Sequence, residues 1–325
     1  MPQFDLPLET LREYRSERTA PADFDDFWAS TLGELSSVPL DVTLTPHPLG
    51  LTAITAYDVS FTGFGGQRIN GFLLRPATEV APDPVPVVVQ YLGYGDGTGS
   101  PLDWLALPAA GFATLVMDTR GQGARARRAG HTGDEGGSNS AHVEGFLTKG
   151  VLDREDYYYR RVFTDAVRAV AAAATIEGLD ADRIAVLGTS QGGGIALAAG
   201  ALAPGVKAVV TNVPFLCHYS RAASITDSAP YRELTWFLGN HRAQADQALA
   251  TLDYFDGVNF AARATAPALF SVALMDDVCP PSTVFAAFNA YTAAKEIEVY
   301  PFNKHEGGGL AQDELTITWL RDQLA

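Results

Sequence analysis

Five short runs of branched and aromatic apolar residues constrain this chain more than any other feature: VPVVVQYLG (85–93), FATLVMD (112–118), RIAVLG (183–188), VKAVVTNVP (206–214) and PALFSVALMD (267–276). A strand that is apolar at consecutive positions shows no polar face to water, so it belongs in the middle of a sheet covered on both sides. Helix-like stretches, FTDAVRAVAAAATIEG (163–178) and GGGIALAAGALA (192–203), lie between some of these runs. Strands alternating with helices predict an α/β fold with a doubly wound, mostly parallel sheet. Chemistry in such a sheet gathers at the carboxyl ends of the strands.

Ahead of the first run, ITAYDVSFTG (54–63) and QRINGFLLRPA (67–77) flank Gly65-Gly66 and read as an antiparallel hairpin. The 325 residues are expected to form a single domain, with residues 1–50 as an N-terminal helical extension packed on the body. Within it, ADFDDFWASTLGEL (22–35) sets Phe24, Phe27, Trp28 and Leu32 at helical spacing behind an acidic first turn.

Charge and cysteine content narrow the function. Asp and Glu number 38 against 23 Lys and Arg, a formal net charge of −15 that repels phosphate backbones and anionic lipid surfaces. Nucleic acid is therefore not an expected partner. Cys217 and Cys279 form neither a CxxC pair nor a disulfide framework and are expected as free thiols. The first residues, MPQFDLPLETLREY, lack the basic and apolar regions of a signal peptide, and no uncharged apolar run approaches the roughly 20 residues that span a bilayer. A cytoplasmic protein with no membrane partner is expected.

The strongest local motif is Gly188-Thr189-Ser190-Gln191-Gly192, a G-x-S-x-G sequence set between the strand RIAVL and an alanine-rich helix. In that setting it reads as the nucleophile elbow of an α/β-hydrolase, with Ser190 as the nucleophile. A serine hydroxyl needs a base to take its proton and a carboxylate to orient that base, in the chain order Ser, Asp or Glu, His. His305, in the glycine-flanked loop NKHEGGG, is the one histidine beyond His241 and the candidate base. Asp276 and Asp277 both end the PALFSVALM strand, and spacing alone leaves the acid open between them. The oxyanion hole is expected from the amide of Gln191 and, in the glycine-rich loop after VVVQ, that of Tyr91. Arg120 and Gln122, in DTRGQG at another strand end, fit a structural role at least as well as a catalytic one.

Together these segments resemble the acetyl xylan esterases and cephalosporin C deacetylases of carbohydrate esterase family 7. The likeness runs through ADFDDFW, QYLGYG, DTRGQG, KGVLDREDYYYRRVFTDAVRAV, GTSQGGG, NVPFLC, the stretch from LDYFDGVNFAARA to VFAAFNAY, and VYPFNKHEGG. It implies Ser190 as nucleophile, Asp276 rather than Asp277 as acid, His305 as base, Tyr91 and Gln191 amides in the oxyanion hole, and a structural Arg120 and Gln122. It further implies no metal and no organic cofactor, small acetylated sugars and related acetyl esters such as cephalosporin C as substrates, and a ring-like homo-hexamer. A carboxylesterase for larger acyl groups or a peptidase on the same fold is the alternative. In GYGDGTG, Asp96 and Thr98 depart from the family pattern and bear on substrate preference.

Overall fold

A computed structural model of the chain describes residues 3–124, 128–135, 142 and 144–325. Among the described residues nine strands form one sheet: β1 (Thr43–Pro46), β2 (Ile54–Thr62), β3 (Arg68–Pro76), β4 (Val85–Tyr91), β5 (Ala113–Met117), β6 (Leu179–Thr189), β7 (Val206–Asn212), β8 (Ala268–Ala273) and β9 (Lys295–Tyr300). Their spatial order is β1-β2-β3-β5-β4-β6-β7-β8-β9. From β5 to β9 neighbouring strands run parallel, while β1, β2 and β3 form an antiparallel flank that meets β5.

The period of two in each central strand explains the continuous apolar runs. In β4, Val87 and Val89 enter one core while Val88 enters a second on the opposite face; in β6, Ile184 and Val186 divide in the same way from Ala185 and Leu187. The larger core is closed by the helices α4 (Tyr158–Thr175), α5 (Gln191–Leu202) and α10 (Pro281–Ala290). The smaller is closed by α3 (Ala106–Ala109) and α11 (Gly309–Gln323), through Leu107, Trp319 and Leu320. The mostly parallel, doubly wound sheet expected from the sequence is therefore present, as is the β2–β3 hairpin, with Ile54 opposite Pro76 and Thr62 opposite Arg68.

At the N-terminus, α1 (Leu8–Glu13) and α2 (Phe24–Gly33) bury Leu11, Phe24 and Trp28 in the larger core. The Trp28 indole donates to the Tyr254 carbonyl at 2.9 Å, and its rings meet Phe163, Phe255 and Phe260. Strand β1 was not foreseen, because all four of its residues are exposed and carry no apolar period. Between β7 and β8 the chain forms α6 (Tyr219–Ile225), α7 (Tyr231–Asn240), α8 (Ala245–Leu252) and α9 (Gly257–Ala261), where the sequence reading assigned no elements. Among the described residues no helix is long and apolar enough to cross a membrane.

Chain order places the site. After β5 the chain returns to the other side of β4 to add β6, so the winding direction reverses between β4 and β6. Loops leaving the carboxyl ends of two such strands diverge and leave a crevice. Tyr91 pairs with Gly188 at those ends, which sets the loop after β4 level with the turn after β6.

Candidate active site

Ser190 occupies the sharp turn between β6 and α5 with φ 59° and ψ −121°, a conformation that costs a non-glycine residue energy and persists only where its surroundings hold it. Here its N–H donates to the Asn212 carbonyl at 2.9 Å, while its own carbonyl accepts from Gly194 at 3.1 Å and Phe215 at 2.9 Å. The flanking glycines are required by close approach: a Cβ on Gly188 would strike the Gly192 backbone, and one on Gly192 would strike the Tyr91 carbonyl. The motif thus brings the β4 loop against the turn and lifts Ser190 Oγ to the crevice.

His305 lies in the loop between β9 and α11. Its Nε2 is 2.9 Å from Ser190 Oγ and its Nδ1 is 2.9 Å from Asp276 Oδ2. Asp276 is fully buried, and its other carboxylate oxygen accepts from the amides of Val278 at 2.8 Å and Cys279 at 3.0 Å. Those two bonds fix the carboxylate and its charge toward the imidazole. Asp277 points elsewhere, accepting from the Ser228 hydroxyl at 3.2 Å, so Asp276 is the neighbour that meets His305. Asp276, Cys279 and His305 are also the one group among the described residues whose ligand atoms approach within metal-binding reach. Burial, then the Asp276 carboxylate, pushes the Cys279 thiol well above its ordinary range, so it stays protonated beside two groups already bonded to each other.

The other sequence-predicted residues converge on the same place. Gln191 begins α5, where the first amides have no acceptor within the helix and the dipole is positive. Tyr91 ends β4, with its ring buried and its hydroxyl donating to the Ala166 carbonyl at 2.9 Å. The Gln191 side chain adds a function its motif does not advertise. It donates to the carbonyls of Leu92 at 3.1 Å and Gly93 at 3.3 Å, and it accepts from the Tyr159 hydroxyl at 2.8 Å and Gln122 at 2.9 Å. Gln122 in turn accepts from the Gly95 amide at 2.7 Å and donates to the Tyr158 hydroxyl at 3.1 Å. These buried amides clamp the loop after β4 onto α5. Tyr158 and Tyr159 stand in a run of three tyrosines, the only sequence signal that could have found them.

Arg120 lies one step further out. Its guanidinium is forked onto Asp165 at 2.6 and 2.8 Å, with Gln67 at 3.1 Å, the Phe64 carbonyl at 3.1 Å and Asp134 at 3.5 Å. Arg120→Ala is expected to cost about 3–5 kcal/mol, because it leaves buried Asp165 without its cation, whereas Asp134 keeps Arg161 and Lys149. Urea unfolding measures this, and a loss below about 1 kcal/mol would contradict a structural role.

The crevice holds a cavity of about 480 Å³ walled by Gly93, Tyr94, Gly95, Asp96, Glu144, Ser190, Ala229, Pro230, Val278 and His305. The Tyr94 hydroxyl donates to Glu233 at 2.7 Å and accepts from the amides of Phe146 at 2.8 Å and Leu147 at 3.1 Å, which joins the β4 loop to α7. Burial raises the Glu233 carboxyl above its usual range. Of the two departures from the family pattern, Asp96 reaches the cavity wall and pairs with Arg128 at 2.8 Å. Thr98 is buried away from it, its amide donating to Asp118 at 3.1 Å.

The model of the acetyl xylan esterase family matches residues 1–323. The chain belongs to the acetyl xylan esterase family. Membership places it among carboxylic ester hydrolases on an α/β-hydrolase fold, as its motifs had suggested. The acetyl xylan esterase from Paenibacillus sp. R4 is 36% identical and superposes with a TM-score of 0.91, covering 98% of this chain and 100% of that one. Acetyl xylan esterase 1 from Thermoanaerobacterium sp. JW/SL YS485 is 34% identical with a TM-score of 0.88, covering 99% and 100%. The acetyl esterase Axe7A of Xylanibacter ruminicola is 29% identical over 304 residues, 91% of this chain. The chain spans 65% of the length of that curated relative.

Proposed function

We propose that this chain is a serine esterase that removes acetyl groups from short acetylated xylo-oligosaccharides and related small acetyl esters such as cephalosporin C. The observation that carries the reading is the continuous chain from Ser190 Oγ through His305 to buried Asp276, with both hydrogen-bond distances at 2.9 Å, on the wall of an open cavity. In the reaction His305 Nε2 takes the Ser190 proton as Oγ attacks the acetyl carbonyl, and Asp276 holds the ring and stabilises the imidazolium. The oxyanion develops beside the Tyr91 and Gln191 amides. Collapse of the tetrahedral intermediate breaks the ester bond, and His305 returns the proton to the departing sugar hydroxyl. Water then attacks the acetyl-enzyme, with His305 again as base, and acetate leaves with Ser190 restored.

A short acyl group is supported by the likeness to acetyl xylan esterases, and Tyr94, Pro230 and Val278 wall the cavity with Ser190. Each methylene that the acyl side must fit against such side chains costs about 1–3 kcal/mol at the transition state. Among p-nitrophenyl acetate, butyrate and octanoate, kcat/KM is expected to fall at each step, by about tenfold or more from acetate to butyrate. An aminoacyl p-nitroanilide is expected to remain uncleaved. Octanoate outperforming acetate would favour a carboxylesterase for larger acyl groups, and comparable anilide cleavage would favour a peptidase.

A further inference from the structure

Helix α7 leads away from the catalytic cavity to a second concavity. Arg232 and Glu233 lie four and three residues before Trp236, so the three share one face of α7, and Ala229 precedes the helix. With Glu144, Gly145 and Thr148 they wall a cavity of about 530 Å³. Glu144 and Ala229 belong to the walls of both cavities, so the two adjoin. The partition between them is held in place, because Glu233 is anchored by the Tyr94 hydroxyl and the Leu147 amide at 3.2 Å.

Among the charged and small residues that wall this second cavity stands one large apolar side chain. Trp236 is 63% exposed, a large apolar surface left in water beside Arg232, whose guanidinium carbon lies 5.9 Å from the centre of its ring. An indole with a cation and hydroxyl-bonding groups around it is complementary to a pyranose, which has apolar C–H faces and a rim of hydroxyls. We propose that Trp236 and Arg232 form a subsite for the alcohol portion of the ester. A sugar ring adjoining the acetylated one packs its C–H face on the indole, and its hydroxyls accept from the guanidinium. The subsite rests on the esterase reading above and deepens it: the acetyl group is recognised at Ser190, the carbohydrate along α7.

The test compares two esters on one enzyme. Trp236→Ala is expected to lower kcat/KM for acetylated xylotriose on the order of tenfold, chiefly through KM, while p-nitrophenyl acetate, which has no sugar, stays within about twofold. Trp236→Phe, which keeps an aromatic face, is expected to retain most of the activity on the sugar ester. An equal loss on both esters, no loss on either, or a changed sedimentation coefficient of Trp236→Ala would overturn the subsite, the last by making Trp236 a contact between copies. Hydrolysis of neither ester by the wild-type protein would instead overturn the esterase reading.

Discussion

Ser190→Ala is expected to lower kcat on acetyl esters by about 10⁴ to 10⁶ while the folded state persists. The hydroxyl supplies the bond-forming atom, and burial holds the neighbouring Cys279 thiol well above its ordinary range, so that thiol does not replace it. Little of the fold depends on it. The turn is held by the backbone bonds of Ser190 to Asn212, Gly194 and Phe215, which alanine keeps. Steady-state kinetics with circular dichroism on the same preparation checks both halves. Activity within about tenfold of wild type would remove Ser190 from the nucleophile's role.

The second large effect separates two neighbours. Asp276→Asn is expected to reduce kcat by roughly 10⁴, because an amide in place of the carboxylate favours the wrong imidazole tautomer and no longer stabilises the imidazolium. Asp277→Asn is expected to stay within about threefold, as its side chain bonds Ser228 and not His305. Parallel kcat measurements on the two variants decide the matter, and a reversed ranking would transfer the orienting role to Asp277.

The central sheet was legible because burial on both faces leaves an unmistakable trace: β4, β6, β7 and β8 must be apolar at consecutive positions when each face enters its own core. Strand β1 left none, since it is exposed throughout and its place at the sheet edge depends on β2. Helices α6 to α9 were equally silent. In α7 only Tyr231 and Leu234 are buried, too few to impose a helical period on the eye. Helix α4 begins at Tyr158, five residues before the stretch read as helical, because the tyrosines of DYYYRR are buried while each hydroxyl finds a partner: Leu147 for Tyr157, Arg120 for Tyr158 and Gln191 for Tyr159. Polar groups at core positions mask the apolar pattern.

At the site, the elbow was visible in the chain because close backbone approach imposes its glycines. The choice between Asp276 and Asp277 was not visible from spacing, since neighbouring residues at a strand end differ only in direction. The Gln122–Gln191 clamp was hidden for another reason. Its members come from β6's turn, the loop after β5 and the tyrosine run of α4, and only the packed sheet brings their buried amides and hydroxyls within hydrogen-bond distance. Arg120 and Gln122 share a motif, yet they divide: Arg120 neutralises buried carboxylates, whereas Gln122 bonds the Gln191 side chain beside Ser190.

The most direct test of the whole account is covalent labelling of the purified protein with a fluorophosphonate, followed by peptide mapping. The reagent reacts with a serine activated by its base, whatever the natural ester. Modification of Ser190 alone, at one label per chain and with parallel loss of esterase activity, is expected, and His305→Ala is expected to prevent it. Esterase activity that survives full labelling of Ser190, or a label found on another residue while Ser190 stays free, would contradict it.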